Sequence, residues 1–449
     1  MCGIFGVTGN KNASKLAYVG LFTLQHRGQE SAGIVADDNG RLNRHSSMGL
    51  VSEIFTKDVL DALKGRSAIG HIRYSTTGSS DIKNAQPLFF NSSLGQLAVA
   101  HNGNLTNAAE LRAALQKTGA IFQSGTDSEI IIHLMARYRG KNLEDTIARN
   151  LPRLEGAYSF LFMAPGKVIA ARDPNGFRPL VLGKLGPSYI LSSETCAIDV
   201  AGGKIVRELA PGEMVVIEKG KLKFKRFAKA APFTRCIFEQ VYFARPDSAV
   251  AGRSVQLARY EMGAMLAREM KGVKADIVSG VPDSGTAYAL GFAKESWLPY
   301  HTVFMRNHYT GRSFIQPDQA LREFTAHLKL APIKDVIKGK SIILIDDSLV
   351  RGTTSRKIIK SIKKAGAKKV YMAIASPAII SPCYYGIDTP TAKELIANNL
   401  SKDKIREYIG ADGLYYLSLE SLIKACGNNS DRNFCAGCFT GKYPASGKG

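Results

Sequence analysis

The strongest constraint on the fold is a change of rhythm near the middle of the chain. Through residues 1 to about 230, short apolar runs alternate with Gly and Asn turns, as in "CGIFGVTG", "SAGIVADD", "QLAVAHNGNL", "AYSFLFMAPGKVIAARD" and "MVVIEKGKLKFKR". Runs of this length bounded by turn formers read as antiparallel hairpins. Two stretches with helical spacing, around 13–25 and 107–118, interrupt them, so layered sheets with helices are expected. From about 251 the pattern becomes "VQLARYEMGAMLAREM", "ADIVSGVPDSGTAYALGFAKE" and "SIILIDDSLVRGTTSRKIIKSIKKAGAKKVYMAIAS". Strand, loop, helix and strand in that order require a crossover, which dictates a parallel sheet of βαβ units. The lysine-rich segment 219–229 and Pro232 mark the junction, giving expected domains 2–230 and 231–449. A chain of 449 residues is in any case too long for one ordinary core.

Composition narrows the function classes. With 45% hydrophobic and 22% charged residues the chain is of the ordered, globular kind. It has neither an uninterrupted apolar run of membrane-spanning length nor a basic-then-apolar leader, so the cytoplasm is the expected compartment, with no membrane partner. The net charge of +22 is spread over both halves, without a basic tail or aromatic–basic RNA signatures. That suits a diffuse field attracting a small polyanion better than nucleic-acid binding. Seven cysteines, an odd number in a chain without an export signal, argue against a disulfide framework and leave catalysis, metal binding and burial as their roles.

In the second half, Ser341–Ile345 reads as a buried strand that ends in Asp346 and Asp347. Ser348, Arg351, Gly352, Thr353, Thr354 and Ser355 follow. A helix then begins whose Ile358, Ile359, Ile362 and Ala365 share one face, with Lys357, Lys360, Lys363 and Lys364 on the others. A loop of Gly and hydroxyl residues opening a helix presents free N–H groups to a phosphate monoester. The paired carboxylates can hold ribose hydroxyls or Mg²⁺.

In the first half, Cys2 directly follows Met1. Removal of Met1 would free an α-amine with a pKa near ~8, able to act as base for the thiol of its own residue. No catalytic histidine is then needed, and His26, His71 and His101 are read as structural. A thiolate attacking an amide needs an oxyanion hole, which Asn102 and Gly103 of "HNGNL" can supply. Arg73 in "GHIRYSTTG" can clamp a substrate carboxylate and Asp127 in "GTDSE" an ammonium.

The ordered set "CGIFG", "LQHRGQESAGI", "GHIRYSTTG", "HNGNL" and "TDSE" resembles the class II glutamine amidotransferase domain. That resemblance implies an α+β N-terminal-nucleophile hydrolase fold, an αββα sandwich. It also implies that Arg27 lies in a loop, reaching Glu30, that closes over glutamine. "LIDDSLVRGTTS" resembles the phosphoribosyl diphosphate (PRPP) motif of α/β type I phosphoribosyltransferases, and "VSGVPDSGT" their pyrophosphate segment. By that resemblance Asp346 and Asp347 contact ribose and metal, Ser348 belongs to the same PRPP-binding set, Arg351–Ser355 cradle the 5-phosphate, and Ser284 adds a Mg²⁺ contact. The segment 305–332 resembles a mobile lid over this site. Its Lys329 matches a PRPP-binding position, but His327 stands where an arginine is usual, weakening the expected grip on pyrophosphate.

Cys435 and Cys438 form C-x₂-C, and with Cys236 and Cys383 they make four thiolates. By spacing alone a [4Fe-4S] cluster and tetrahedral Zn²⁺ are equal rivals. "RCIFEQVYFARPDS", "SPCYYGID" and the terminal C-x₂-C resemble the iron–sulfur (Bacillus-type) subclass of glutamine PRPP amidotransferases, which favours the cluster. Cys196 and Cys426 match nothing and are expected to be buried or incidental. The two resemblances together imply an amidotransferase acting on glutamine and PRPP. They further imply purine nucleotides as feedback inhibitors and a homotetramer. A different phosphoribosyl acceptor, or a non-enzymatic PRPP sensor, are the competing readings; the intact "HNG" and Arg73 speak against the sensor.

Overall fold

The computed structural model describes residues 1–74, 79–92, 95–229, 231, 234–307, 330–389, 391–427 and 434–444. The first half is two antiparallel sheets face to face. One has seven strands in the order Lys204–Glu208, Val181–Leu185, Ser188–Ser192, Gly3–Thr8, Ser67–Arg73, Ser31–Asp38 and Arg41–Met48. The other has six, from Lys221–Arg226 through Glu213–Glu218, Lys167–Arg172, Gly156–Ala164 and Gly95–Leu105 to Leu88–Ser92. Alternation in the strands delivers Ile4, Val35, Ile69, Ala98, Leu161 and Val215 to the layer between the sheets.

Each sheet buries its other face under helices. Ala13–Thr23 covers the first through Ala17 and Leu21, which pack with Phe5 and Ile72. The second is covered by Ile130–Arg137 and Leu143–Asn150, with Ile131, Met135 and Ile147 against Phe160 and Phe162. This is the expected αββα layering. The two anticipated helices are present as Ala13–Thr23 and Ala108–Gln116, but Ile130–Arg137 and Leu143–Asn150 are additional and form most of the outer layer.

The second half holds a parallel sheet in the order Ile277–Gly280, Ser341–Asp346, Lys369–Ile374 and Gly413–Tyr416. "SIILID" is its buried second strand, as the apolar run requires. The helix Thr353–Lys364 buries Ile358, Ile359 and Ile362 while its lysines face outward. Val255–Glu269 is less one-sided than its sequence suggests. Sandwiched with Thr286–Ser296 and Leu419–Cys426, it buries Ala258, Met262, Met265 and Leu266. Among the described residues no helix is long and apolar enough to cross a membrane.

Candidate active sites

Cys2 leads directly into the strand Gly3–Thr8, which pairs antiparallel with Ser67–Arg73, Gly3 opposite Ile72. That register puts Cys2 and Arg73 at the same end of the sheet. The Cys2 sulfur donates to the Tyr74 carbonyl (3.6 Å). Burial raises the thiol above its ordinary pKa, opposed by the Met1 amino group, the Tyr74 hydrogen bond and Arg73, while Asp127 adds to the rise. Arg73 ends a strand of the first sheet, whereas Asp127 opens the short helix Asp127–Glu129, bonded to the second sheet at Leu105. Arg73 is buried, paired with Glu30 and donating to the Ser79 carbonyl (3.0 Å). Asp127 accepts from the Leu105 N–H (2.9 Å) and the Ser128 hydroxyl (3.2 Å). Burial works to raise its carboxyl, but His101 and these hydrogen bonds prevail and hold it low.

Asn102 and Gly103 lie on the strand Gly95–Leu105 of the second sheet. The Asn102 amide nitrogen donates to the Ser193 hydroxyl (3.4 Å), which itself accepts from the Ile4 N–H (3.0 Å), so one hydroxyl ties the two sheets together next to Cys2. The buried Asn102 side-chain oxygen has no partner among the described residues. A Cβ on Gly103 would stand 2.0 Å from the Ala157 carbonyl oxygen, so no other residue fits there. The histidines are engaged elsewhere: His71 with the His101 carbonyl (3.0 Å), His101 with Ser128 (2.9 Å) and His26 with Glu194 (2.7 Å).

Arg27 departs from its expected place. It is fully buried, its guanidinium divided among Glu194, Glu239 and the Cys2 carbonyl, and it presents no open edge to a glutamine carboxylate. Its partners Glu194 and Glu239, together with Arg178, are functional candidates that the sequence reading missed. The one available signal was Glu239, a lone charge in the apolar run "CIFEQVYF".

Asp346 and Asp347 lie at the carboxyl end of an inner strand of the parallel sheet, the usual position for ligands in such sheets. Ser284, which follows the neighbouring strand Ile277–Gly280, donates to Asp346 (3.5 Å), and Ser348 donates to Asp347 (2.6 Å). Burial holds both carboxyls above the ordinary range, and for Asp346 repulsion by Asp347 adds to it. Such a pair favours a bound cation. Gly352, at φ +73°, caps the helix Thr353–Lys364. Thr353 and Thr354 are exposed at its start and Ser355 is buried. Arg351, expected at the phosphate, is instead paired with exposed Glu394 (3.0 Å). Lys329, His327 and most of the expected lid lie outside the described residues.

Cys236 and Cys435 are opposite one another in a short parallel pairing, Arg235–Cys236 with Phe434–Cys435. With Cys383 and Cys438 they line one largely apolar cavity. Burial pushes Cys236 up to about 11, with Arg178 acting in the opposite sense, and Cys435 up to about 12. Among the described residues no group of three or more His, Cys, Asp or Glu side chains is set to hold a metal ion. Four soft sulfur donors around one apolar space nevertheless have the chemistry of a thiolate metal site. Cys196 and Cys426 are buried, as expected.

Fold and sites together define a glutamine amidotransferase joined to a phosphoribosyltransferase-type half in one chain. Residues 71–200 match the family described as "Glutamine amidotransferase domain". The chain belongs to the amidophosphoribosyltransferase family: it is 47% identical to the amidophosphoribosyltransferase of Bacillus subtilis, over 99% of this chain and 94% of that protein. The enzyme of the same name from Archaeoglobus fulgidus is 46% identical, with 99% and 98% covered. Among solved structures, the glutamine PRPP amidotransferase from B. subtilis complexed with ADP and GMP superposes with a TM-score of 0.94 at 47% identity, covering 99% of this chain and 98% of that one.

Proposed function

We propose that this chain releases ammonia from glutamine at Cys2 and delivers it to C1 of PRPP. The products are 5-phosphoribosylamine, glutamate and pyrophosphate, in the first step of purine synthesis. The observation that carries the reading is the strand register that sets Cys2 beside Arg73 at one end of the first sheet, with the Ser193 hydroxyl bridging the Ile4 N–H and the Asn102 amide of the second sheet. The same chain presents the Asp346–Asp347 pair at a parallel sheet's carboxyl end.

With Met1 removed, the α-amine of Cys2 takes the thiol proton and the thiolate attacks the glutamine carboxamide carbon; the C–N bond breaks as that proton passes to the departing ammonia, leaving a γ-glutamyl thioester that water hydrolyses to glutamate and free Cys2. The Asn102 amide and the Gly103 N–H receive the charge that develops on oxygen. Arg73 and Asp127 hold the substrate's carboxylate and ammonium. In the second half the Arg351–Ser355 loop cradles the 5-phosphate and Ser348 contributes to PRPP binding. This use of Arg351 requires it to leave Glu394, an exposed pair that costs little to break. Ser284, Asp346 and Asp347 would hold Mg²⁺, which when bound screens the charge of the departing pyrophosphate.

Cys236, Cys383, Cys435 and Cys438 would hold a [4Fe-4S] cluster in a structural role, with Zn²⁺ as the rival. The domain division at 230/231, the action of Lys329 on PRPP, the cytoplasmic location, the homotetramer and feedback by purine nucleotides belong to the same proposal. For feedback, the support is the ADP and GMP bound to the B. subtilis relative. One assay tests the core of the reading: glutamate and phosphoribosylamine are measured with and without PRPP and Mg²⁺, on protein whose N-terminus is checked by intact mass. Amine formation that depends on both is expected; its absence overturns the assignment.

A further inference from the structure

Between the two halves, Arg27, Arg178, Glu194 and Glu239 are packed together, each at most 1% exposed. Two cations and two anions balance one another, but charges so far from water persist only when their hydrogen-bonding groups are met. Arg27 satisfies that demand in one orientation. Its Nη1 donates to Glu194 Oε1 (2.5 Å) and Glu239 Oε2 (3.0 Å), its Nη2 to Glu239 Oε1 (2.9 Å), and its Nε to the Cys2 carbonyl (3.0 Å). A planar guanidinium gripped at both terminal nitrogens by one carboxylate cannot turn. The remaining nitrogen is thereby committed to the backbone of the nucleophile.

The grip comes from outside the glutamine half. Glu239 opens the short helix Glu239–Phe243 of the second half. Arg178 holds it from the other side (3.2 Å) and is itself anchored on the Tyr385 carbonyl through Nε (2.9 Å) and Nη2 (2.6 Å). The helix is fixed in turn by Arg259, which donates to the Gln240 and Ala244 carbonyls (2.9 and 2.8 Å). Glu194 is firmly held too, accepting from His26, the Arg245 N–H and the Ser248 hydroxyl. It meets Arg27 at a single nitrogen, however, and so cannot set the plane of the fork.

We propose that Glu239 is a positioning residue of the glutamine-hydrolysing centre, locking the Arg27 fork so that its Nε fixes the Cys2 carbonyl and hence the direction of the Cys2 thiol and amine. The centre is then incomplete without a residue from the transferase half. This inference rests on the glutaminase reading above and refines it by naming what holds the nucleophile in place.

The test compares Glu239→Gln and Glu239→Ala in the full chain, following glutamine hydrolysis and, separately, phosphoribosylamine formation from free ammonia. Misplacing a reacting group by a fraction of an ångström lowers turnover rather than affinity, so Glu239→Ala should lose on the order of 10²-fold in glutaminase kcat with KM for glutamine within about threefold. Glu239→Gln keeps the shape and one acceptor and should fall between, at roughly tenfold. Ammonia-dependent turnover should stay within about twofold of the parent for both, since the Glu239 side chain bonds to Arg27 and Arg178 and not to Ser284, Asp346 or Asp347. Should Glu239→Ala fail to fold, the isosteric Gln variant decides alone. Unchanged glutaminase kcat in a folded variant overturns the proposal. So does a loss carried by KM, or an equal loss of both activities, which would mark general damage to the interface. A parent enzyme that hydrolyses no glutamine would instead refute the functional reading itself.

Discussion

Gly386 lies against the backbone of Gly103: a Cβ built on Gly386 would stand 3.0 Å from the carbonyl carbon and oxygen of Gly103 and 3.3 Å from its Cα. The segment carrying Cys383 thus presses on the strand proposed to supply the oxyanion donors, and Asn104 reinforces the contact by donating to the Tyr384 carbonyl (3.0 Å). Gly386 also has φ +101°, a conformation that side chains resist. Gly386→Ala should therefore cost about 1–2 kcal/mol in stability from the backbone alone. By displacing Gly103 it should lower glutaminase kcat roughly tenfold. Steady-state kinetics beside thermal unfolding separates the two effects, and a variant that is destabilised yet fully active would show that the contact only packs.

Asp346 and Asp347 are adjacent carboxyls, both raised by burial, with mutual repulsion raising Asp346 further. In the metal-free protein such a pair works against the fold. Asp347→Asn removes one charge and should stabilise the chain by about 0.5–2 kcal/mol, the range seen where function is traded for stability. The same change should nearly abolish PRPP-dependent amine formation, while basal glutamine hydrolysis persists. Differential scanning calorimetry without Mg²⁺ checks the first expectation and paired assays the second. A stability loss would mean that the carboxylate contributes structure through Ser348.

How much of this was legible in the sequence depended on whether the signal is local. The strand "SIILID" and the helix Thr353–Lys364 follow directly from an apolar run and from isoleucines at helical spacing. The helix Leu143–Asn150 carries a local mark: Asn142 accepts from the Asp145 N–H (2.9 Å), and Glu144 and Asp145 occupy the first turn. Ile130–Arg137 was harder, because three consecutive isoleucines favour a strand as much as a buried helix. The union of Arg27 with Glu239 could not be read at all. The two are 212 residues apart, and an ion pair formed across a domain interface imposes no periodicity on either segment. The same holds for Arg351, whose partner Glu394 lies 43 residues on.

The four-cysteine cavity makes a prediction about the C-terminal segment. Residues 434–444 are tied to the rest by the short pairing of Phe434–Cys435 with Arg235–Cys236, by the Cys438 carbonyl, which accepts from Ile380 and Ser381 (2.9 and 3.1 Å), by the Tyr443 hydroxyl, which donates to the Pro382 carbonyl, and by Phe439, buried in the transferase core. A bound cluster or metal would add four covalent links to these contacts and so contribute further to the attachment. Cys435→Ser should then lower Tm by about 10 °C, the shift that ~3 kcal/mol produces in a domain of this size. Iron and sulfide analysis with absorption near ~400 nm identifies a cluster, and stoichiometric zinc without iron identifies the rival. Protein free of both, with Tm unchanged by the substitution, would remove the metal from the proposal.

His71 gives the pH dependence of stability. It is fully buried, with Nε2 at 3.0 Å from the His101 carbonyl and no partner on Nδ1 among the described residues. Burial pushes its imidazole down to about 3 from an ordinary 6.5. Folding therefore selects the neutral ring. Its contribution is fully present above pH 6.5 and is lost as pH falls from there toward about 3, because over that window the unfolded chain binds a proton that the folded one refuses. Between pH 7 and pH 5 the loss is about 2 kcal/mol by linkage. His71→Gln keeps an N–H for the His101 carbonyl and cannot titrate, so urea unfolding at the two pH values should show a loss smaller by that amount. Equal losses in parent and variant would mean that His71 titrates alike in both states and that the acid sensitivity lies elsewhere.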